Sequence, residues 1–223
     1  MVIKNKNPLT IILIGPSGSG KGTQARLLID RLGFEYIEMG KILREEAEKD
    51  TKIGKFIYQT IMVEGKLLPD EIANELLEKK INLLSKNKKL IIDGYPRTVD
   101  QVKDLDMILK DLQRDNIKAI NIDVPEEISL ARLTSRLVCN KCKNNFKENG
   151  IKEGDKCPSC DGKLIKRADD TPQKIKERLK WAKEKVEPVV EEYRSRGLLV
   201  DIDGHRALEK VYNDILTNIK EHV

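Results

Sequence analysis

The sequence is poor in aromatic residues and has no long apolar run. Phe, Trp and Tyr make up only 4% of the chain, so stacking platforms for single-stranded nucleic acid are scarce. No stretch approaches the roughly 20 apolar residues that a membrane-spanning helix needs. The segment MVIKNKNPLTIILIG does not have the pattern of a secretory signal, because its short apolar run leads directly into a glycine-rich loop. We therefore expect a cytoplasmic protein that binds neither nucleic acid nor a membrane.

The chain also lacks a strong excess of charge of one sign. Lys and Arg number 42 and Asp and Glu number 37, which leaves a formal net charge of +5 on a sequence that is 35% charged. Charges spread in this way are typical of a solvated surface rather than of a nucleic-acid-binding stripe. At 223 residues, the chain can bury one sizeable core that carries small inserts.

Short apolar strands alternate with helical patterns along most of the chain. We predict strands at 9–15, 34–39, 89–93, 119–124 and 198–203, and helices at 20–33, 70–84, 100–115, 171–197 and 207–221. The long helix has a start signal, with Thr171 at its N-cap and Pro172 in its first turn. The alternation predicts an α/β fold in which a five-stranded parallel sheet lies between helices.

Two stretches interrupt this alternation. The first insert, residues 38–67, contains two helical segments that no strand follows directly. The second insert, residues 137–170, is rich in Lys, Asn, Gly and Cys and has few branched apolar residues. We predict that both inserts project from a core formed by residues 1–37, 68–136 and 171–223.

The segment GPSGSGKGT predicts a phosphate-binding loop. It follows a strand and opens a helix, so backbone N–H groups and the positive end of the helix point at the same place. Lys21 adds a mobile positive charge for the phosphates of a nucleotide. The usual hydroxyl position of this motif is Gly22, and Thr23 follows one place later. The expected donor-nucleotide site is Gly15, Gly18, Ser19, Gly20, Lys21, Gly22 and Thr23.

A second motif, LIIDGYPR, ends a predicted buried strand with Asp93. An Asp in this position is typical of the residue that holds Mg²⁺ in phosphate-loop enzymes. Arg97 follows shortly afterwards, which favours an anionic phosphate acceptor over water. On these residues alone, an ordinary surface turn after a strand is the alternative.

The four cysteines form two close pairs, CNKC and CPSC. Two turns that each offer two thiolates can complete a closed tetrahedral site, so the pattern predicts one structural Zn²⁺ per chain. Its ligands would be Cys139, Cys142, Cys157 and Cys160. Two disulfides or four free thiols are the alternatives, and a reducing compartment disfavours the disulfides. A zinc ribbon could also bind nucleic acid, which is the weaker interpretation here.

Five ordered motifs together resemble the adenylate kinase family. They are GPSGSGKGTQA, EGKLLPDE, DGYPRTVDQ, the arginine pair in ARLTSRLV, and KRADDT. The resemblance runs from Leu9 to about Gly204, and a Gly between Lys21 and Thr23 is this family's version of the loop. It implies the reversible Mg²⁺-dependent reaction ATP + AMP ⇌ 2 ADP. A lid that carries four zinc-binding cysteines is a known variant of the family.

The resemblance implies a role for each arginine in these motifs. Arg44 and Arg97 would grip the acceptor phosphate. Arg132 would lie against the donor base, and Arg136 would contact the donor phosphates. Two further arginines would complete the cage around the transferred group, and an Asp would order the Mg²⁺ water shell. The implied catalytic set is Lys21, Asp93, Arg97, Arg136, Arg167 and Arg178.

The same resemblance gives the two inserts a function. The first insert matches the acceptor-binding subdomain and the second matches the lid, and both would close over the substrates to exclude water. Asp169 and Asp170 would hold arginines when the lid closes. The implied AMP-binding residues are Met39, Gly40, Arg44, Lys66, Leu68, Gly94, Arg97, Gln101, Arg167 and Arg178.

The chain departs from the family pattern at EMGK. Met39 replaces the Thr that faces the acceptor base, and Lys41 replaces an Asp of the Mg²⁺ network. Gln101 favours AMP, because adenylate kinases carry there a Gln that reads an adenine edge. Because of Met39 and Lys41, the first alternative is a nucleoside monophosphate kinase with a broader choice of acceptor or donor base. A nucleotide-gated zinc-ribbon binding module is an alternative of another class. The sequence does not define the oligomeric state, for which a monomer is the family default.

Overall fold

The computed structural model describes residues 7–147, 150–167 and 170–222, and these form strands in two sheets. In chain order the strands are β1 (Thr10–Ile14), β2 (Glu35–Glu38), β3 (Leu90–Asp93), β4 (Ile117–Asp123), β5 (Arg136–Cys139), β6 (Asn145–Lys147), β7 (Leu164–Lys166) and β8 (Leu199–Asp203). A five-stranded parallel sheet has the order β2-β3-β1-β4-β8, which confirms the predicted architecture. The remaining strands form a three-stranded antiparallel sheet, β6-β5-β7, inside the second insert. The sequence pattern did not predict this small sheet.

Helices connect the strands of the parallel sheet, and one more helix follows its last strand. They are α1 (Lys21–Leu32), α2 (Met39–Ala47), α3 (Lys52–Ile57), a π-helical segment (Tyr58–Val63), α4 (Asp70–Ile81), α5 (Val99–Asp111), α6 (Glu126–Thr134), α7 (Pro172–Ser195) and α8 (Leu208–Ile219). Helix α7 begins as predicted, because the Thr171 hydroxyl accepts a hydrogen bond from the Lys174 N–H at 3.4 Å and Pro172 opens the first turn. Within the described ranges, no helix combines the length and the apolar character of a membrane span.

Both faces of the parallel sheet are buried. In β1, Ile12 packs into one apolar cluster with helices α4, α5 and α7, while its neighbour Ile11 packs into another with α1 and α8. Successive side chains of a strand point to opposite faces, so a strand covered on both sides must be apolar at every position. This explains why TIILI is a continuous buried run rather than an alternating one.

The parallel order brings the carboxyl ends of the strands to one edge of the sheet. Gly15 follows β1, Met39 follows β2 and Gly94 follows β3 at this edge. Glu38 and Asp93 are register partners at the ends of neighbouring strands. Open α/β sheets bind ligands at this edge, so the fold places the sequence motifs side by side.

The two inserts contact each other above this edge. Lys143 of the second insert lies 3.3 Å from a carboxylate oxygen of Glu48 at the end of α2. Asn144 accepts a hydrogen bond from Arg26 of α1 at 3.0 Å. The second insert is therefore folded over the end of the parallel sheet.

Candidate active site

The loop between β1 and α1 passes very close to β4. Gly15 has φ +133°, and a Cβ at this position would lie 2.2 Å from the carbonyl oxygen of Ile122. Only glycine fits this approach. Lys21 folds back over the loop, and its Nζ donates to the carbonyl oxygens of Gly15 at 2.7 Å and Pro16 at 2.9 Å. These acceptors are neutral, so an incoming phosphate can replace them without displacing an anion.

Arg132 ties the loop to the segment after β8. Its guanidinium donates to the carbonyl oxygens of Gly18 at 3.2 Å, Ser19 at 3.1 Å and Gly204 at 3.0 Å. A Cβ on Gly204 would lie 3.0 Å from the Ser19 carbonyl oxygen, so the two loops are almost in contact. The predicted donor-base arginine therefore also holds the backbone of the phosphate loop in place.

Lys21 and Asp93 attract each other within the site. Burial lowers the pKa of Lys21 and raises the pKa of Asp93, so desolvation disfavours both charged forms, and the attraction between the two groups opposes it. The Tyr36 hydroxyl donates to Asp93 at 2.9 Å, which fixes the orientation of the carboxylate. Glu38 adds a second carboxylate beside Asp93. Carboxylate oxygens are the protein ligands that Mg²⁺ prefers, so these residues fit a Mg²⁺ ion carried by phosphates.

Lys21 and Asp93 both line a cavity of about 1240 Å³. It exceeds the ~300–1,000 Å³ of most small-molecule sites. All the residues that the sequence predicts for ATP and AMP line this one cavity, including the phosphate loop, the arginines and the residues of the first insert. The structure thus brings together residues from every part of the core and from both inserts.

Asp170 joins the second insert to α7. It accepts two hydrogen bonds from Arg136, from Nε and an Nη, both at 2.7 Å, and one from Arg178 at 2.6 Å. Its side chain is only 4% exposed. Burial and the charge of Arg167 lower the pKa of Arg136. Asp169, which the resemblance pairs with Asp170, lies outside the described residues.

Arg44 and Arg97 have partners of different kinds. An Nη of Arg44 lies 3.0 Å from a carboxylate oxygen of Glu38, and the two side chains of this ion pair are only 27% and 28% exposed. Arg97 donates from Nε to the carbonyl oxygen of Gly94 at 2.8 Å, and its guanidinium lies over the ring of Trp181. Burial lowers the pKa of Arg97; the Asp93 carboxylate opposes this shift, and the charges of Arg178 and Arg44 add to it.

The residues expected to read the acceptor base present little surface. Gln101 is 3% exposed; its amide oxygen accepts from the Arg97 backbone N–H at 2.7 Å, and its amide nitrogen donates to Asp70 at 2.7 Å. Met39 is 1% exposed and belongs to the apolar core. Lys41 points toward Glu45 of the same helix, with 3.9 Å between the charged atoms. Lys66 pairs with Glu64 at 3.0 Å on the exposed rim.

The four cysteine sulfurs of the second insert converge. All lie within 4.8 Å of one another, with Cys139 and Cys160 3.5 Å apart and Cys142 and Cys157 3.7 Å apart. Sulfurs of a tetrahedral Zn²⁺ site are about 3.8 Å apart, given Zn–S bonds of ~2.3 Å. The four thiols are unbonded to one another, so the cluster can hold a metal ion.

The backbone around Cys139 favours its thiolate, whereas burial raises the pKa of Cys142 to about 12. Burial opposes ionisation of Cys139, but the backbone N–H groups of Cys142 and Lys141 lower its pKa to about 6. Gly162 is required beside this sulfur, because a Cβ there would lie 2.5 Å from it. Both features fit Cys139 as a thiolate ligand, which a soft or borderline metal ion prefers.

Sequence reasoning missed Tyr36, Glu38 and Trp181, which all line the cavity. Tyr36 and Glu38 are two residues apart on β2, so they share the face that meets Asp93. Trp181 comes three residues after Arg178 on α7, so it lies on the same face of that helix. Strand and helix spacing were the available signals for all three residues.

Comparison with known proteins agrees with this geometry. The sequence model of the family described as "Adenylate kinase" matches residues 13–198. The chain is 35% identical to an adenylate kinase of Methanosarcina barkeri over 96% of this chain and 99% of that protein. It is 37% identical to the adenylate kinases of Syntrophomonas wolfei, over 93% and 97% of the two chains, and of Petrotoga mobilis, over 95% and 98%. The chain therefore belongs to the adenylate kinase family of nucleoside monophosphate kinases.

Proposed function

We propose that the protein transfers the terminal phosphoryl group of ATP to AMP, reversibly and with Mg²⁺, and so produces two molecules of ADP. The observation that carries this proposal is the convergence of cationic groups from the core and the second insert on the cavity that contains the phosphate loop. A pair of nucleotides whose phosphates meet needs cations on both sides of the transferred group. A single nucleotide on a phosphate loop does not need them.

Phosphoryl transfer asks the protein for positioning and charge neutralisation rather than for covalent chemistry. In the proposed mechanism, Lys21 leaves the carbonyl oxygens of its own loop and binds the donor phosphates. Arg44 and Arg97 hold the acceptor phosphate, while Arg136, Arg167 and Arg178 surround the group in transfer. Bound Mg²⁺ offsets negative charge on the donor phosphates, and Asp93 would hold its water shell with Glu38 beside it.

The two inserts are proposed to exclude water from the transfer. The contact between Lys143 and Glu48 already joins them across the cavity. A closed site prevents loss of the phosphoryl group to water and strengthens each electrostatic contact inside. Zinc is the metal that we propose for the four cysteines, because structural Zn²⁺ sites are tetrahedral and commonly have four cysteine ligands. Its role would be structural, since four thiolates leave no position open for a catalytic water. It would stabilise an insert whose apolar core is very small.

A broader acceptor specificity is the second candidate, and a specific observation favours it. Met39 is buried in the core and both ends of the Gln101 amide already have partners. The side chains expected to read adenine therefore offer it little unsatisfied hydrogen-bonding capacity. If the acceptor site does not read the base edge, GMP, CMP and UMP would be accepted as well.

The test is a steady-state assay with MgATP and each of AMP, GMP, CMP and UMP, repeated with MgGTP as donor. We expect AMP to have the highest kcat/KM by about 30- to 150-fold, because an unmatched polar edge in a buried site costs about 2–3 kcal/mol. Comparable values for several acceptors would establish the broader kinase. ATP loss that ignores every monophosphate would overturn both proposals.

Gln101→Leu tests how the acceptor base is read. If Gln101 contacts adenine, the variant loses the preference for AMP while retaining turnover with all acceptors. Asp70→Asn is the matched control, because it perturbs the other end of the Gln101 hydrogen bond and keeps the amide itself. An equal loss in both variants would mean that Gln101 acts only by holding the loop that carries Arg97.

A further inference from the structure

We propose that Trp181 is the positioning residue for Arg97, and that it keeps the N–H donors of this arginine free for the acceptor phosphate. The inference rests on the function proposed above. The Arg97 Cζ lies 5.6 Å from the centre of the Trp181 ring, within the range of a cation–π contact. Trp181 is the single tryptophan of the chain and lines the cavity.

The backbone fixes one side of Arg97 and leaves the other side open. Its Nε donates to the Gly94 carbonyl oxygen at 2.8 Å, and its backbone N–H donates to Gln101 at 2.7 Å. These contacts hold the stem and the inner edge of the guanidinium. The terminal nitrogens are the donors that can meet two oxygens of a phosphate at once.

A ring is a better partner than a carboxylate for this purpose. The N–H donors of a guanidinium lie in its plane, whereas the ring acts on its face. The ring can therefore offset the cost of burying the cation without occupying a donor. Arg44 shows the contrast, because one Nη is paired with the Glu38 carboxylate at 3.0 Å and that donor can meet a phosphate only by displacing an anion.

Helix α7 supplies the ring from a fixed direction. Trp181 and Arg178 are on the same face of one continuous helix, and Asp170 holds Arg178 at 2.6 Å. The ring is thus carried by the same element that orients a second arginine of the cavity. Asp93 attracts Arg97 and Arg178 repels it, so a neutral ring supports the guanidinium without adding a further charge.

The kinetic test compares Trp181→Leu, Trp181→Phe and the control Lys180→Leu, which places the same residue on the exposed side of the same turn. We expect Trp181→Leu to raise KM for AMP about 5- to 30-fold, with KM for ATP unchanged. Trp181→Phe keeps an aromatic face and should recover most of this loss, while Lys180→Leu should behave as the parent protein. An unchanged KM for AMP in Trp181→Leu, or equal increases in both KM values, would overturn the proposal.

Fluorescence gives a readout that does not depend on turnover. Because the chain has one tryptophan, emission on titration with AMP reports on Trp181 directly. We expect AMP to change the emission, adenosine to have little effect, and Arg97→Met to abolish the AMP response. An equal response to adenosine would show that the ring stacks on the base, which overturns the proposal.

The two proposals can fail separately. A protein that transfers phosphate to no monophosphate refutes the proposed function, yet its emission still reports whether a phosphate reaches Arg97 beside Trp181. Conversely, an active enzyme whose KM for AMP is indifferent to Trp181→Leu leaves the function intact and removes the role of the ring. Circular dichroism of each variant excludes unfolding as the cause of a loss.

Discussion

Replacing Asp170 with Asn is expected to weaken the attachment of the second insert to α7. Asp170 accepts two hydrogen bonds from Arg136 and one from Arg178, at 2.6–2.7 Å. The asparagine has nearly the same shape, but it carries no charge and offers one acceptor oxygen instead of two. The variant therefore leaves two neighbouring cations without their shared counter-charge.

The magnitude follows from the burial of the three groups. Removing one partner from a fully buried ion pair costs about 3–5 kcal/mol. Here the carboxylate is 4% exposed, but Arg136 is 17% and Arg178 26% exposed, so water can take over part of their solvation. We expect a loss of about 2–3 kcal/mol, after allowing for the acceptor that asparagine retains. For a chain of this size, that corresponds to a fall in Tm of roughly 4–12 °C.

The assay is urea unfolding together with thermal unfolding, in the presence and absence of tripolyphosphate. Asp50→Asn is the control, since Asp50 pairs with Lys55 at 2.6 Å while both side chains are largely exposed, and its loss should cost less than about 1 kcal/mol. Tripolyphosphate should raise the Tm of Asp170→Asn more than that of the parent protein, because it supplies the missing negative charge. Equal stabilities of the two variants would refute the argument from burial.

Three further outcomes are expected. Tyr36→Phe removes the hydrogen bond to Asp93 and should raise the Mg²⁺ concentration for half-maximal activity about 3- to 10-fold. The affinity for ADP without Mg²⁺, measured by calorimetry, should stay unchanged. An unaltered Mg²⁺ dependence would contradict the role of Tyr36. The hydrogen bond from Arg31 lowers the pKa of Glu209 in the folded protein, so the unfolded chain binds more protons and this contribution to stability is lost as the pH falls through the folded-state pKa. Urea titrations should show that the free energy of unfolding falls less on acidification in Glu209→Gln than in the parent protein. Identical pH profiles of the two proteins would count against a role of this ion pair. Cys142→Ser should reduce zinc, measured by elemental analysis, from about one ion per chain to a small fraction; full zinc content would exclude Cys142 as a ligand.

Features with a local cause were predictable from the sequence. The run TIILI predicts a strand that is buried on both faces, and all of its residues are buried. Thr171 and Pro172 predict the start of α7, because the side-chain acceptor and the missing N–H both act within one turn. Each CxxC turn by itself needs only short-range geometry to present two thiols, and the structure brings the sulfurs of both turns together.

Features that depend on distant contacts were not predictable in the same way. Strands β5, β6 and β7 are three or four residues long, too short to show an alternating pattern, and they pack around the cysteines instead of a large core. The position of Gln101 in its motif suggests a base contact. Its hydrogen bond to Asp70 arises only when α4 packs beside α5, and no local pattern reports that packing. The same holds for the contact between Trp181 and Arg97.

The cationic groups of the cavity differ in what a phosphate must displace. Lys21 is held by carbonyl oxygens and Arg97 by a carbonyl and a ring, so both can bind an anion without releasing one. Arg44 is paired with Glu38, and Arg136 and Arg178 share Asp170. Each of these three arginines must either break its ion pair or bind the phosphate with its remaining N–H donors. Asp93 attracts both Lys21 and Arg97 without a hydrogen bond to either, whereas a carboxylate in direct contact cancels more of a cation's attraction for phosphate. The donor phosphates are therefore expected to contact Lys21 first, and the acceptor phosphate Arg97. The arginines that are paired with carboxylates would bind later, as the inserts close.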